Sequence, residues 1–383
     1  MTRHSDETRK TASLKRLRLT DFRNFETLDL DIDARPVCLA GPNGSGKTNI
    51  LEAISLLAPG RGLRGAETEE PLRRIGGTVA PAWAVYAETL SETGDEATLA
   101  SGFLDGRRRQ TRMDGKPASR GELARCLPMI ALLPEHDRLF AGPRFDRLKF
   151  FDRLVAASDP SHGETLGNYE KLRSRRQRLL DQGRVDTDWL DALETDMAGH
   201  GVALAAGRLH ALARLQAAID TAEDGVFPKT DLALDGMIEA ALAEGAELRD
   251  AEDQLISVLA DERGRDAAAG RTLTRGPHRS DLGARHREKD QPASRCSTGE
   301  QKALIIRLVL AQAQSLASYG GKVPLLLLDE ACAHLDAKRR KGLAEAILEL
   351  GAQAWLTGVE SSLFSAFGEQ AQQFSVEQGR VSV

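Results

Sequence analysis

The 383-residue chain is poor in cysteine, and its four, Cys38, Cys126, Cys296 and Cys332, show no metal-ligand spacing. That argues against a cysteine-bound metal or a disulfide framework and points to reduced thiols in a cytoplasmic setting. No apolar run approaches the ~20 residues that span a bilayer, so no membrane partner is expected. The opening MTRHSDETRKTASLKR carries basic charge with no apolar stretch behind it. It does not fit a secretory signal and reads as a frayed polar tail. The net charge is only −5, which argues against indiscriminate polyanion binding and leaves room for a local basic face. There is no internal repeat and no low-complexity tract.

With 41% hydrophobic and 28% charged residues, the chain can bury a sizeable core in two or three domains. Its organising stretch is Gly41-Pro42-Asn43-Gly44-Ser45-Gly46-Lys47-Thr48, which fits the phosphate-binding P-loop pattern. Pro36 to Ala40 reads as a short buried strand before it. Asn49 to Leu57 reads as a helix after it, with apolar positions at Ile50, Ile54 and Leu57. Strand, glycine loop and helix together aim backbone N–H groups at phosphate oxygens. Lys47 is expected to reach the β- and γ-phosphates and Thr48 to ligate Mg²⁺.

Leu17 and Leu19, then Leu28, Leu30 and Ile32, alternate with polar residues, an antiparallel pair around Thr20 to Phe25. Gly60 to Gly65 is a flexible basic loop in which Arg61 and Arg64 could touch nucleotide, DNA or a partner, or only solvent. Val79 to Leu90 and Glu96 to Leu104 read as strands joined by a turn at Thr93-Gly94-Asp95. Arg107, Arg108, Arg109 and Arg112 line a basic strand edge, a candidate DNA contact, before the turn at Asp114-Gly115. Met129 to Glu135 is an apolar strand with a polar corner. From Phe145 the chain turns helical, with Leu190, Leu193 and Met197, then Leu209, Leu212, Leu215 and Ile219, at spacings of three and four. Lys171, Arg173, Arg175, Arg176 and Arg178 crowd one of these helices. They read as a DNA-contacting face or as a solvated one. The helices resume near Met237 and end near Gly264, an arm about 40–50 Å long at 1.5 Å per residue.

Two further motifs follow. Cys296-Ser297-Thr298-Gly299-Glu300-Gln301-Lys302 opens a long amphipathic helix, with an N-cap and a positive dipole end. Leu325-Leu326-Leu327-Leu328-Asp329-Glu330 has the Walker B form. Asp329 is expected to hold Mg²⁺ and Glu330 to activate the attacking water. Ala333-His334-Leu335-Asp336 follows directly, and Gln353 to Thr357 is a last core strand.

P-loop, Ser-Thr-Gly-Glu-Gln-Lys helix start, Walker B pair and Ala-His-Leu-Asp loop resemble an ABC-type ATPase head of the SMC kind. LRLTDFRNF near the start, GPHRSDL at Gly276 to Leu282 and the short arm narrow the resemblance to the RecF family of bacterial recombination-repair proteins. It implies an α/β fold: a P-loop head of mixed sheet and flanking helices, an antiparallel β subdomain and an inserted helical arm. The expected partition is 1–135 for the first part of the head, 136–268 for the arm and 269–383 for the rest of the head. It further implies two composite sites in an ATP-dependent homodimer. Ser297 and Gly299 would serve the facing protomer's nucleotide, and Asp336 would join the nucleotide-binding set. Weak DNA-stimulated ATP hydrolysis, binding to gapped or junction DNA, and recombinase loading with RecR and RecO partners are also implied. The chain departs from the family pattern at Ser280, where many members carry Asp, and in the glycine-rich Gly60 to Gly65. The His that ABC transporters carry after the last core strand is not at Thr357-Gly358, an absence that fits the RecF family. Glu135 stands where the Q-loop of such heads is expected. A transporter ATPase subunit shares the head but has neither the arm nor LRLTDFRNF. A DNA-binding scaffold with a vestigial site fits poorly with an intact Lys47, Thr48, Asp329 and Glu330.

Overall fold

The structure, a computed structural model, describes residues 10–90, 96–104, 106, 108–183, 186–320 and 322–383. Its elements, in chain order, begin with strands β1 (Lys10–Thr11), β2 (Ser13–Phe22), β3 (Phe25–Asp31) and β4 (Val37–Ala40), then helix α1 (Lys47–Ser55). A small hairpin, β5 (Arg74–Ile75) and β6 (Thr78–Val79), precedes β7 (Ala82–Leu90), β8 (Glu96–Leu104), β9 (Gln110–Met113) and β10 (Lys116–Pro117). Helix α2 (Arg120–Cys126) and β11 (Met129–Leu132) lead to the helices α3 (Arg144–Ser158), α4 (Pro160–Asp181) and α5 (Thr187–Thr221). After β12 (Thr230–Asp235) come α6 (Met237–Ala243), α7 (Leu248–Asp261), α8 (Arg263–Ala269), β13 (Asp281–His286) and β14 (Gln291–Pro292). The chain closes with α9 (Thr298–Gly320), β15 (Lys322–Val323), β16 (Leu325–Leu328), α10 (Ala337–Leu350), β17 (Ala354–Gly358), β18 (Gln372–Glu377) and β19 (Arg380–Ser382).

The chain divides into two compact units. The first comprises 1–137, 222–228 and 298–383, and the second 138–221 and 229–297. In the first unit, the order β11-β16-β17-β4-β18-β19 makes a sheet that is parallel except at β19. Its inner strands, VCLA, LLLL and AWLTG, are nearly continuous apolar runs because helices and the second sheet cover both faces. The second sheet, β10-β9-β8-β7-β2-β3, is antiparallel and alternates buried with exposed residues. Leu17, Leu19, Phe22, Val85 and Leu99 from this sheet join Val37, Leu39, Leu325 and Trp355 of the parallel sheet in one core. The turn expected at Thr93-Gly94-Asp95 lies outside the described residues. The strand expected from Val79 starts instead at Ala82, because Thr78–Val79 pairs with Arg74–Ile75.

The second unit is where sequence and structure part. It holds the helices α3, α4 and α5, but Thr230–Asp235 and Asp281–His286 pair as antiparallel strands with a short third, Gln291–Pro292. The GPHRSDL stretch therefore belongs to this unit. The division falls after Ser297 rather than at 268. Its residues bind inward: the Pro277 carbonyl accepts from Arg208 at 2.6 Å, Ser280 Oγ donates to Glu239 at 2.6 Å, and Asp281 holds Arg147 through two bonds of 2.7 Å. Burial pushes the His278 imidazole down to about 3, so it stays neutral, with Tyr169 Oη 2.7 Å from its Nδ1. Residues 222–228, inside the expected arm, pack in the first unit, where Arg307 donates to the Phe227 carbonyl.

Candidate active site

The P-loop runs from the end of β4 to the start of α1. Gly41 stands so close to the next strand that a Cβ would come within 2.1 Å of the Val376 carbonyl oxygen. Gly46 has φ +117°, and a Cβ there would lie 2.5 Å from the Asn24 amide. Both positions exclude side chains, on space and on backbone conformation. Asn24, in the turn between β2 and β3, donates to the Ser45 carbonyl at 2.9 Å and accepts from Asn49. The N-terminal LRLTDFRNF stretch thus braces the phosphate loop. Helix α1 starts at Lys47, two residues earlier than its apolar spacing indicated, and has no side-chain cap. Its first N–H groups are therefore available to an anion.

The Walker B strand β16 lies two strands from β4. Thr48 Oγ1 donates to Asp329 Oδ1 at 3.0 Å, joining residues 281 positions apart. Lys47 is buried, and its ammonium donates to the Gly41 and Pro42 carbonyls at 2.6 and 2.8 Å. Burial lowers its pKa from the ordinary range, with the charges of Glu330 and Asp329 opposing that shift. Glu330 follows β16 with φ +51°, an unfavourable conformation for a residue with a Cβ. Ser45 Oγ is buried with no hydrogen-bond partner among the described residues, a donor at the centre of the loop. A hydroxyl and a carboxylate at 3.0 Å are oxygen donors of the kind Mg²⁺ prefers, and an uncapped helix start with a lysine suits phosphates. The residues present fit a Mg²⁺-nucleotide.

The remaining expected residues divide. Ser297 is exposed and directly precedes α9. Gly299, in the first turn, accepts from Arg339 of α10 at 3.4 Å. Asp336 caps α10, accepting from the Arg339 N–H at 2.8 Å. Glu135 is exposed in the 3-10 turn after β11, while Asp137 two residues on reaches Lys302. Arg64 turns back on Asn49 and Glu52, and Arg61 pairs with Glu67 at the surface.

Two of the basic residues are corrections. Arg176 is 0% exposed and holds Glu194 at 2.7 Å and Asp266 at 2.6 Å, so it cannot meet DNA. Arg109 donates to the carbonyls of Leu56, Ala58 and Gly60, tying down the end of α1 and the loop beyond. Arg108, Arg112 and Arg175 are exposed, Arg173 pairs with Glu170, and Arg107 lies outside the described residues.

Sequence reasoning missed Thr357. Its hydroxyl donates to Asp329 Oδ1 at 2.6 Å and accepts from the Glu330 N–H at 2.8 Å. A threonine in an otherwise apolar core strand was the available signal.

The chain matches the RecF/RecN/SMC N terminal domain family over residues 13–382. It is 45% identical to the DNA replication and repair protein RecF of Rhizobium meliloti, over 96% of this chain and 98% of that one. This chain belongs to the RecF family. RecF of Agrobacterium fabrum is 46% identical, over 97% of this chain and 98% of its own length. In fold, the chain is similar to the recombination mediator protein RecF-ATP of the RecFOR pathway, with TM-score 0.82 at 23% identity over 99% of both chains. The Smc head domain of Pyrococcus furiosus has TM-score 0.54 at 15% identity, over 97% of this chain and 95% of that one. The family is one of DNA replication and repair proteins built on an ABC-type ATPase head. Among the described residues, no helix is long and apolar enough to cross a membrane.

Proposed function

We propose that this protein is an ATP-driven DNA clamp of recombinational repair and replication restart. The observation that carries the reading is the 3.0 Å bond between Thr48 and Asp329, which brings P-loop and Walker B into one site. In this site Lys47 and the α1 N-terminus bind the phosphates, and Thr48 and Asp329 hold Mg²⁺. The ion, once bound, neutralises phosphate charge. Glu330 takes a proton from the attacking water. Ser297 and Gly299, at the start of α9, complete the nucleotide site of a facing protomer. ATP therefore joins two heads, and hydrolysis to ADP and phosphate releases them. DNA with gaps or junctions binds to the closed dimer and stimulates a weak ATPase. Partners of the RecR and RecO type take part in recombinase loading, and the setting is cytoplasmic.

A mixing experiment tests the composite site. Ser297→Arg is expected to bind ATP as a monomer with near-normal affinity, and neither it nor Lys47→Met hydrolyses ATP well alone. Their heterodimer has one site with both defects and one with neither. It is expected to regain up to about half of the wild-type ATPase per dimer if each composite site contributes independently. Heterodimers that form and stay inactive would mean either that the two sites are strictly coupled or that the signature does not act across the interface.

The second unit offers a DNA surface. Lys171, Arg175 and Arg178 of α4 are exposed at spacings of four and three, and so share one face. The Arg175 guanidinium lies 5.1 Å from the ring centre of Trp189, which is 47% exposed. Cations beside an exposed indole suit phosphates and unstacked bases. Trp83 and Trp355 are buried, so a fluorescence change on adding DNA reports Trp189. Gapped DNA plus ATP is expected to quench this emission. Arg175→Glu is expected to weaken binding and reduce the salt slope by about one. Unchanged emission and salt slope would place the DNA elsewhere.

A further inference from the structure

Glu330 is held from both sides of its Cα. Its N–H donates to Thr357 of β17 at 2.8 Å, and its carbonyl accepts from Lys302 Nζ at 2.9 Å. The clamp matters because the backbone it grips is left-handed, at φ +51°, and such a conformation persists only where its surroundings enforce it. Lys302 is 2% exposed. Its second described bond goes to Asp137 Oδ2, at 2.9 Å, in the turn after β11. That carboxylate balances an ammonium that could not otherwise stay buried.

Lys302 lies on α9, three residues past Gly299, in the helix that opens with the signature sequence. One end of this helix meets the neighbour's nucleotide in the reading above. A side chain near that end grips the backbone of the chain's own general base. We propose that Lys302 is a positioning residue that couples the signature helix to Glu330 of the same chain. A lysine suits the role: one compact charge with three donors serves a carbonyl and a carboxylate together.

The proposal rests on the composite-site reading, and its test separates the two. The starting point is the heterodimer of Ser297→Arg with Lys47→Met, whose working site uses the first protomer's P-loop and Glu330 and the second protomer's signature. Lys302→Met is added to one protomer or the other. Placed in the Ser297→Arg protomer, it is expected to slow hydrolysis about tenfold more than when placed in the Lys47→Met protomer, a factor worth about 1.4 kcal/mol. Equal losses in both placements, or the larger loss in the second, would overturn the proposal. A general folding defect weighs on both placements alike. If Lys302→Met does not fold, Asp137→Asn goes through the same two placements, with a difference of about threefold expected in the same direction. Should the parent heterodimer itself be inactive, the composite-site reading or the independence of its two sites is at fault, and the wild-type background still decides. There Lys302→Met is expected to lower kcat about tenfold with the ATP Kd unchanged. An unchanged kcat, or a loss of ATP binding, would refute the positioning role.

Discussion

Glu330→Gln is expected to slow ATP hydrolysis about a hundredfold or more while leaving ATP binding and dimer closure intact. The amide keeps the shape of the side chain and part of its hydrogen bonding but cannot take a proton from water. Loss of a general base at this scale corresponds to about 2.7 kcal/mol of transition-state stabilisation. The backbone bonds that hold residue 330, from Thr357 and Lys302, do not involve the carboxylate, so the variant keeps its geometry. Single-turnover hydrolysis measures the chemical step directly. An unchanged rate would move the base elsewhere, and the exposed Glu135 would be the next residue to replace.

Lys47→Met is expected to abolish ATP-dependent behaviour altogether. The methionine has similar length and no charge. It removes an ammonium whose bonds to the Gly41 and Pro42 carbonyls place it at the mouth of the loop. Each charge-assisted hydrogen bond from this ammonium to the phosphates contributes about 1.5–3 kcal/mol, so losing two weakens ATP at least about a hundredfold. Dimerisation and tight DNA binding fall with it. Titration with a fluorescent ATP analogue measures the affinity. A near-normal Kd would mean that the backbone N–H groups of α1 bind the phosphates unaided.

The geometry of the candidate site was legible because its signals are local. Eight consecutive residues define the loop, an apolar strand precedes it, and a second apolar strand ends in two carboxylates. What stayed hidden depends on distant pairing. Arg176 sits in a basic run that reads as a surface, yet its partners Glu194 and Asp266 lie 18 and 90 positions away and draw it inside. Arg109 looks like its neighbours until the carbonyls at the end of α1 claim it. The strand Thr230–Asp235 is short, half-exposed and set between helices, and its partner residues in Asp281–His286 lie 46 to 56 positions away. GPHRSDL marked the family from sequence, but only the contacts of Pro277, Ser280 and Asp281 show that its work lies within the second unit. The parts played by Thr357 and Lys302 stayed hidden because both act through the backbone of Glu330, a link that no sequence motif marks.

The central claim is that ATP joins two copies of this chain through their nucleotide sites. Sedimentation velocity of the wild-type protein, with Mg²⁺ and with or without ATP, tests it most directly. Monomers are expected without ATP and a dimer with it, with Glu330→Gln dimeric for longer and Lys47→Met and Ser297→Arg monomeric throughout. A wild-type protein that stays monomeric at saturating ATP, or a Lys47→Met variant that dimerises as well as wild type, would contradict it.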